Sequence, residues 1–368
     1  MSYKYDYLIV GCGMFGSVFA REATRAGKKC LLVDIRNHIG GNCYTEKVEG
    51  INIHKYGAHI FHTNNEEIWN YINQFGEFNN YVHKVIVRDN ETMYSFPINL
   101  MTLYQLWGVT TPKDARRRLE EVKVPIENPS NLKEWALSQV GEEIYKIFIE
   151  GYTTKQWMTS PEELPSSIIK RIPIRMGFDD SYFSNQFQGI PKDGYTHLFE
   201  NMLADSDVEL NVDYFSNRKE LDGIAKKIVF TGKIDQFYDY KFGDLDYRTL
   251  KFREEILDTD NFQGNSVINY ADPKIPYTRI IEHKHFEFGT QEKTVVTYEF
   301  PVEYTRKSTP YYPINDDKNG KVYSSYKNLA KQKDGVIFGG RLAEYKYYDM
   351  HQIVGSALSK ARKELTQK

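Results

Sequence analysis

The first part of the chain alternates short apolar runs with a glycine-rich turn. Residues 7–10 (YLIV) and 30–34 (CLLVD) are predicted strands, because each is a short run dominated by apolar side chains. Apolar side chains recur at helical spacing over 17–26, and Gly27 is suited to end the helix that this spacing predicts. The pattern predicts a strand, a glycine-rich turn, a helix and a second strand, in that order.

The spacing of apolar residues then changes between helical and strand periods along the rest of the chain. A capped helix is predicted over 63–75 and a hairpin over 82–97, and two further helices are predicted to begin at Thr111 and Ser130. The later segments are predicted to be strands, at 208–212, 227–230, 249–253, 266–270, 277–286, 294–300 and 336–339. A last helix is predicted from about residue 350. Helices and strands mixed in this way predict an α/β fold.

Composition and charge restrict the class of protein. The 368 residues are enough for two or three domains, and 40% hydrophobic with 27% charged residues is typical of a globular protein. The 48 basic and 50 acidic side chains give a net charge of −2, so electrostatics provides no reason to expect nucleic acid or an anionic membrane as a partner. The 28 tyrosines supply flat faces that end in a hydroxyl, which suits polar, ring-shaped ligands.

The cysteines and the apolar N-terminal run bear on compartment and metal binding. Three cysteines without a CxxC spacing predict neither a disulfide framework nor a zinc site, so no metal is expected and the predicted location is the cytoplasm. The apolar run 7–20 is shorter than the ~20 residues needed to span a bilayer. Asp6 and the spaced glycines also disfavour a signal peptide, so no membrane insertion is expected.

The glycine-rich turn has the spacing of a dinucleotide-binding site. Gly11, Gly13 and Gly16 form a GxGxxG that follows a predicted strand and opens a predicted helix. In such sites the first glycine permits the tight turn, the second the approach of a pyrophosphate, and the third close helix–strand packing. Asp34 ends the second strand, where it can accept hydrogen bonds from an unphosphorylated adenosine ribose. The further glycine pair at 40–41 favours FAD over NAD, because a permanently bound flavin needs close backbone approach.

Several side chains outside the turn could take part in chemistry or binding. His59 and His62 are either structural histidines or, for His62, a side chain that sets the protonation beside a flavin. Trp157 is either a core residue or a surface for stacking on a base. Arg171 and Arg279 are far apart in sequence, but their forked guanidiniums suit phosphate oxygens if the fold brings them together. The chain has no HExxH, GxSxG or P-loop, which leaves metalloprotease, α/β-hydrolase and kinase functions without support.

Motifs spread over essentially the whole chain resemble those of the bacterial UDP-galactopyranose mutase family. They are the Gly11–Gly16 turn, HIGGN at 38–42, YGAHIFH at 56–62, GY at 151–152, KQW at 155–157, ELP at 163–165, IKR at 169–171, FQG at 187–189, PYTR at 276–279, GRL at 340–342 and YYDM at 347–350. The resemblance implies an α/β fold with a Rossmann-like FAD-binding domain, an inserted helical domain and an antiparallel β-sheet domain. The implied division is 1–76, 187–232 and 333–368 for the discontinuous FAD domain, 98–186 for the helical domain with a mobile substrate lid at about 157–184, and 77–97 and 233–332 for the sheet domain.

The resemblance also implies an activity. Members interconvert UDP-galactopyranose and UDP-galactofuranose, without net redox change, through a covalent adduct between the sugar and flavin nitrogen N5. The FAD would have to be reduced, by NAD(P)H or a cellular flavin reductant, and the product would supply galactofuranose for cell-surface glycans. A homodimer is also implied. Two other functions are compatible with a flavin fold: an oxidoreductase of the amine-oxidase or desaturase kind, and a non-catalytic sensor of a sugar nucleotide.

The family's functional residues carry over only at positions that match its motifs. Arg171 and Arg279 are then catalytic and bind the diphosphate, and His62 is catalytic beside the flavin. The predicted substrate-binding residues are Phe148, Tyr152, Trp157, Arg171, Tyr182, Asn269, Arg279, Tyr312 (with Tyr311 as its alternative) and Tyr347. The predicted cofactor-binding residues are Gly11, Gly13, Phe15, Gly16, Asp34, Arg36, Gly41, Asn42, His59, Arg341, Asp349 and Met350. Many members have glycine at the position of Met158, so this side chain is expected to affect lid motion rather than the chemistry.

Overall fold

The computed structural model describes residues 3–170 and 173–366, which form an α/β fold with two main sheets. The strands are β1 Tyr5–Val10, β2 Cys30–Asp34, β3 Thr45–Val48, β4 Ile51–His54, β5 Phe61–Thr63, β6 Val85–Asp89, β7 Thr92–Phe96, β8 Phe187–Gly189, β9 Asp207–Leu210, β10 Ala225–Phe230, β11 Tyr247–Leu257, β12 Val267–Tyr270, β13 Arg279–Glu282, β14 Thr294–Val302, β15 Tyr312–Pro313 and β16 Val336–Phe338. The α-helices are α1 Met14–Arg25, α2 Glu66–Ile72, α3 Leu100–Trp107, α4 Pro112–Val122, α5 Leu132–Ile144, α6 Gly151–Trp157, α7 Gly194–Leu203, α8 Arg218–Leu221, α9 Ile234–Phe237, α10 Asp317–Lys331, α11 Gly340–Ala343 and α12 Met350–Thr366.

The first sheet is parallel and has the strand order β16-β10-β1-β2-β9. Its strands come from three distant stretches of the chain, and the predicted domain division stays a prediction. Helix α1 packs between this sheet and helices α7 and α12, and the apolar side chains at these contacts form the largest buried cluster. Strand β2 lies beside β1 on one side, and β10 lies beside it on the other. A crevice is therefore expected at the carboxyl end of β1, because ligands bind to such sheets where the strand order reverses.

The second sheet has seven strands in the order β15-β11-β14-β13-β12-β6-β7. Its pairs are antiparallel except for β12 and β6, which run in the same direction. Helices α3 to α6 lie between β7 and β8 in the sequence and share a buried cluster with β6, β7 and β12. These helices and one end of the second sheet therefore share an apolar core, which supports one wall of the site described below.

Most predicted elements are confirmed, but several boundaries were wrong. The hairpin over 82–97 is β6 and β7, and Thr111 caps α4 as predicted, accepting a hydrogen bond from the Asp114 amide at 3.2 Å. The helix predicted over 63–75 instead begins after Asn65, whose side chain accepts from the Ile68 amide at 3.1 Å, while Thr63 belongs to β5. Helix α5 likewise begins after Asn131 rather than at Ser130. In each case the residue that caps the first turn sets the start of the helix.

Helices α7 and α10 were not predicted, nor were the short helices α8, α9 and α11, and one predicted strand is shorter than expected. Helix α10 is mostly polar, with only Asn319 and Tyr326 fully buried, so its apolar periodicity is weak. Helix α7 has a stronger apolar face that the sequence reading missed. The strand predicted over 277–286 ends at Glu282, and His283–Glu287 forms a 3₁₀-helix. Within the described residues, no helix combines the length and the apolar character that crossing a bilayer requires.

Candidate active site

The glycine-rich turn forms a close-packed cradle at the carboxyl end of β1. Gly11 has a φ of +107°, and a Cβ there would lie 2.1 Å from the Thr231 Oγ1. A Cβ at Gly16 would lie 2.1 Å from the carbonyl oxygen of Gly11, and one at Gly41 would lie 2.9 Å from the Cα of Gly13. Two backbone segments thus meet at the amino end of α1 with no side chain between them. This geometry suits a pyrophosphate, which would be held by helix amides and the helix dipole.

The acidic end of β2 is already organised for a ribose. The two carboxylate oxygens of Asp34 accept hydrogen bonds from the Cys12 amide at 2.8 Å and the Arg36 amide at 3.0 Å. A carboxylate has about four acceptor positions, so further acceptor capacity is left for a diol. Arg36 donates to the Oδ1 of Asn42 at 2.9 Å and lies 4.3 Å from the ring centroid of Tyr56. Its Nη1 is buried and has no hydrogen-bond partner among residues 3–170 and 173–366, which fits a ligand that supplies an acceptor.

The end of β16 returns to the same cradle. A Cβ at Gly339 would lie 2.0 Å from the Cζ of Phe15, so the ring of Phe15 packs directly against this backbone. Arg341 donates to the carbonyl oxygens of Tyr311 at 3.0 Å and Tyr348 at 2.7 Å. The thioether of Met350, at the start of α12, lies 3.6 Å from the sulfur of Cys43, next to the cradle. Arg341 therefore holds together the chain segments that separate the cradle from the second sheet.

His62 lies in a small aromatic and polar cluster. Its Nδ1 is 2.8 Å from the Oδ1 of Asn185, which places the proton on Nδ1 if that oxygen accepts and leaves Nε2 as the acceptor nitrogen. The imidazole stacks on Phe183, with ring centroids 3.7 Å apart. One nitrogen or oxygen atom from each of His62, Asp349 and His351 lies within 4.8 Å of the others. The predicted residues His62 and Asp349 are therefore neighbours in the fold.

His59 has a different environment from that of His62. Its Nδ1 lies 2.8 Å from the carbonyl oxygen of Gly57, and its amide donates to the Nδ1 of His54 at 3.1 Å. Burial lowers the pKa of His59 to about 4, so the imidazole is neutral at physiological pH. These contacts match the structural alternative for His59, and its role towards the cofactor stays a prediction.

A cavity of about 620 Å³ lies between the second sheet and helix α6. It brings together every predicted substrate-binding residue that the structure describes: Phe148, Tyr152, Trp157, Tyr182, Asn269, Arg279, Tyr312 and Tyr347. Arg171 lies outside the described residues. The eight cavity residues are spread over two hundred positions of the sequence, so the fold alone brings them together.

Arg279 is a cation that lines the cavity. Its Nη2 donates to the hydroxyl of Tyr152, and its Nε lies 3.4 Å from the Oε1 of Glu299. Glu299 is only 2% exposed, and Arg279 pairs across β12 and β13 with Asn269. Burial opposes the charge of Arg279, but the Glu299 carboxylate and the nearby tyrosines outweigh it and raise the pKa of the guanidinium. The result is a fixed, permanently charged donor that faces the cavity.

Glu299 was missed by the sequence analysis, although one signal was present. It is the single acidic residue in the otherwise mostly apolar strand β14. A buried carboxylate in such a strand needs a charged partner, and Arg279 on the adjacent strand is that partner. Arg248 was also missed; it lines the same cavity, and its Nε is buried without a hydrogen-bond partner in the part of the chain that the structure describes.

The structure distinguishes between Tyr312 and its alternative. Tyr312 lines the cavity and stacks on Tyr347, with ring centroids 5.2 Å apart, whereas Tyr311 is 4% exposed and packs against Phe252 outside it. The guanidinium of Arg341 lies 5.6 Å from the ring centroids of both Tyr312 and Tyr347. Burial raises the pKa of Tyr312, so its hydroxyl is neutral and can donate a hydrogen bond. The two cavity tyrosines therefore lie on the side nearer the dinucleotide cradle.

The opposite part of the cavity wall is apolar. Phe148 belongs to a π-helical segment, Tyr145–Glu150. This segment leads directly into α6, whose last residue is Trp157. The other apolar residues of this wall are Val87, Phe96, Leu164, Pro165, Ile168 and Ile169. The segment that carries the last four is held by a hydrogen bond from the Leu132 amide to the Leu164 carbonyl at 2.8 Å. A flat, apolar wall beside a charged centre is suited to a nucleobase joined to a diphosphate.

Met158 occupies a backbone conformation that favours glycine. It ends α6 with φ of +50° and ψ of 34°, and its side chain is 47% exposed. A residue with a Cβ pays about 1–2 kcal/mol in the left-handed region. The departure from the family motif therefore places strain at the start of the predicted lid.

We expect Met158→Gly to raise the midpoint of thermal unfolding by a degree or two, because relief of this strain exceeds the roughly 0.5–1 kcal/mol of added entropy in the unfolded chain. Met158→Ala is the matched control, since it also shortens the side chain but keeps the Cβ. Calorimetry of the two variants checks the prediction. An equal midpoint in both would show that backbone strain is not the cause.

Comparisons with known proteins agree with this architecture. A family model described as UDP-galactopyranose mutase matches residues 147–347, and a model of an NAD(P)-binding Rossmann-like domain matches residues 9–75. A dTDP-fucopyranose mutase of Escherichia coli is 40% identical over 365 residues, covering 96% of this chain and 97% of that protein. A probable UDP-galactopyranose mutase of Klebsiella pneumoniae is 38% identical over 364 residues, covering 97% of this chain and 94% of that protein. The chain belongs to the UDP-galactopyranose mutase family.

The solved structures agree with this family at the level of the fold. A crystal structure of reduced UDP-galactopyranose mutase has a TM-score of 0.77 at 12% identity and covers 99% of this chain and 94% of its own. A putrescine oxidase has a TM-score of 0.59 at 12% identity, with 99% of both chains covered. The mutase family model, at 147–347, spans every described cavity residue of the predicted substrate set. Arg171 falls within the same range.

Proposed function

We propose that this member of the family is a flavin-dependent isomerase that interconverts UDP-galactopyranose and UDP-galactofuranose. The observation that carries the proposal is the partly buried Arg279, which is held by Glu299 and Tyr152 and lines a cavity with an apolar wall. The charged centre suits a diphosphate, and the wall that contains Trp157 suits a uracil. An amine oxidase or desaturase is less well matched, because it needs no guanidinium held in place for a leaving diphosphate. A non-catalytic sensor would bind UDP at the same site but would form no product.

FAD is proposed as the cofactor. The cradle of Gly11, Gly13 and Gly16 would hold its pyrophosphate, Asp34 its ribose, and the unpaired Nη1 of Arg36 a further acceptor. When bound and reduced, by NAD(P)H or a cellular flavin reductant, FAD would supply the electron-rich nitrogen N5 that accepts the sugar from UDP.

The side chains of the cavity have separate proposed roles. Arg279, with Arg171, would bind the diphosphate and stabilise the negative charge that develops on it as the bond to the sugar breaks. One well-placed donor of this kind is worth about 3–4 kcal/mol. The neutral hydroxyls of Tyr312 and Tyr347 would orient the phosphate and the sugar without adding charge. His62, with its Nδ1 directed at Asn185, would present Nε2 as a proton acceptor beside the flavin.

A second candidate substrate is dTDP-fucopyranose, because the Escherichia coli mutase that acts on it is 40% identical to this chain over nearly its whole length. The ring contraction would be the same. The nucleotide differs by a methyl group on the base and a missing ribose hydroxyl, and an apolar wall can accommodate a methyl group. UDP-galactofuranose, UDP-N-acetylgalactosamine and dTDP-fucopyranose incubated side by side with reduced protein, with products separated by chromatography, would rank the three substrates.

We expect purified protein to be yellow and to convert UDP-galactofuranose to UDP-galactopyranose only after reduction by dithionite. The reason is that only the reduced flavin has the electron-rich nitrogen that the reaction requires. Product formation before and after reduction, followed by chromatography, measures the effect. Protein without flavin absorbance would contradict the proposal, and consumption of an oxidant with each turnover would favour an oxidoreductase instead.

The proposal extends to assembly and biological role. The enzyme is proposed to be a cytoplasmic homodimer whose product supplies galactofuranose for cell-surface glycans. Light scattering of the holoenzyme gives the oligomeric state, and loss of galactofuranose from surface glycans in a deletion strain tests the role.

A further inference from the structure

Lys155 is held by backbone carbonyl oxygens. It lies in α6, between the cavity residues Tyr152 and Trp157, but it does not itself line the cavity. Its Nζ lies 2.7–3.1 Å from four carbonyl oxygens, those of residues 270, 272, 275 and 277. An ammonium group has three N–H donors, so four acceptors share them around a single positive charge.

Three of the four carbonyls belong to one connection, residues 271–278, which joins β12 to β13. The fourth is the carbonyl of Tyr270, the last residue of β12. The same connection approaches α6 at a second point, because a Cβ at Gly151 would lie 2.1 Å from the carbonyl oxygen of Ala271. Helix α6 is therefore attached to the connection at two points, by a close backbone contact at its first residue and by an ammonium group one turn later.

The two elements joined in this way carry opposite walls of the cavity. Helix α6 supplies Tyr152 and Trp157, and the β12–β13 hairpin supplies Asn269 and Arg279, which pair with each other across the strands. Arg279 follows the connection by one residue and donates to the hydroxyl of Tyr152. Any shift of the connection relative to α6 would separate the guanidinium from this hydroxyl.

We infer that Lys155 is a positioning residue for the diphosphate site, since its ammonium group joins α6 to the 271–278 connection and so fixes Arg279 relative to Tyr152. The inference rests on the proposed function, because the site that it positions is the one proposed to bind UDP. Lys155 does not line the cavity, so its effect on a ligand passes through the connection. Burial lowers the pKa of Lys155 to about 8, which leaves the group mainly protonated at neutral pH.

Binding of UDP to the oxidised, FAD-loaded protein tests this inference without requiring turnover. Lys155→Met keeps the length of the side chain but removes the charge and the donors. We expect it to raise the Kd for UDP at least tenfold by calorimetry, with the flavin content unchanged and with faster amide hydrogen exchange confined to residues 270–279. Lys146→Met is the matched control, because Lys146 is an exposed lysine on the preceding π-helical turn, where it pairs with Glu142; the Kd of this variant should stay within twofold of the wild type.

A second variant keeps the test decisive if Lys155→Met does not fold. Gly151→Ala leaves every charge in place but forces the Ala271 carbonyl away from α6, and it is expected to raise the Kd at least fivefold. If the wild type binds UDP and either folded variant binds it within twofold of the wild type, the positioning role is wrong although the proposed function stands. If the wild type itself does not bind UDP, the proposed function fails and the inference fails with it.

Discussion

Arg279→Ala is expected to reduce kcat by about 100- to 1000-fold while FAD stays bound. A charged donor directed at a leaving group contributes about 3–4 kcal/mol, and Arg279 is a cation that lines the cavity and is held by Tyr152 and Glu299. The cofactor cradle is formed by other segments of the chain, so flavin absorbance should not change. Single-turnover kinetics of the reduced enzyme with UDP-galactofuranose measure the effect. The same direction is expected for Arg171→Ala.

The control for this prediction must separate catalysis from folding. Removal of Arg279 leaves Glu299 buried without its charged partner, which can cost about 3–5 kcal/mol of stability. The double variant Arg279→Met with Glu299→Gln removes both charges and should recover stability but not activity. A double variant that regains near-normal kcat would show that Arg279 serves the fold rather than the diphosphate.

Gly13→Ala is expected to weaken FAD binding at least tenfold without destabilising the apoprotein. Gly13 has an ordinary φ of −82°, and a Cβ there would lie 3.8 Å from the nearest other atom, the Cα of Gly41, so the protein itself has room for the methyl group. The methyl group would occupy the space where the pyrophosphate approaches the backbone. Flavin content after purification and titration of apoprotein with FAD measure the loss.

Gly320→Ala provides the matched control, because a Cβ at that position of α10 meets no atom within 4 Å and lies outside the cradle. It should retain full flavin content. Equal FAD affinity of the Gly13 variant and the wild type would mean that the cofactor does not pass over this turn. That result would also remove the main support for FAD at this site.

Individual helices, strands and turns could be predicted from the sequence more accurately than the contacts between them. The strand, turn and helix around Gly11 were predictable because each depends on a few adjacent residues. Thr63 was wrongly chosen as a helix start because Asn65 competes for the same cap, and short-range patterns do not rank two adjacent caps. Helix α10 was missed because its buried face is narrow.

The same difference applies to the site: single residues could be named from the sequence, but their contacts could not. Tyr152, Trp157 and Arg279 were named through motif resemblance, and their grouping in one cavity follows only from the fold. Glu299 and Lys155 were not named as site residues, because their partners are distant in sequence. Glu299 pairs with a side chain twenty positions away, and Lys155 binds carbonyl groups more than one hundred positions away. A lysine bound to carbonyl oxygens leaves no charge pattern in the sequence, since its partners are peptide groups that every residue has.

The parallel sheet described above has a consequence for synthesis of the protein on the ribosome. Strand β1 pairs with β10, beginning with Tyr5 opposite Ala225, so one edge of β1 has no partner until more than two hundred further residues have been translated. At about 5–20 residues per second this delay is at least ten seconds. During that interval the nascent chain exposes an unpaired apolar strand, which is a target for chaperones and for aggregation. Overexpression at low temperature with co-expressed chaperones should therefore increase the soluble yield.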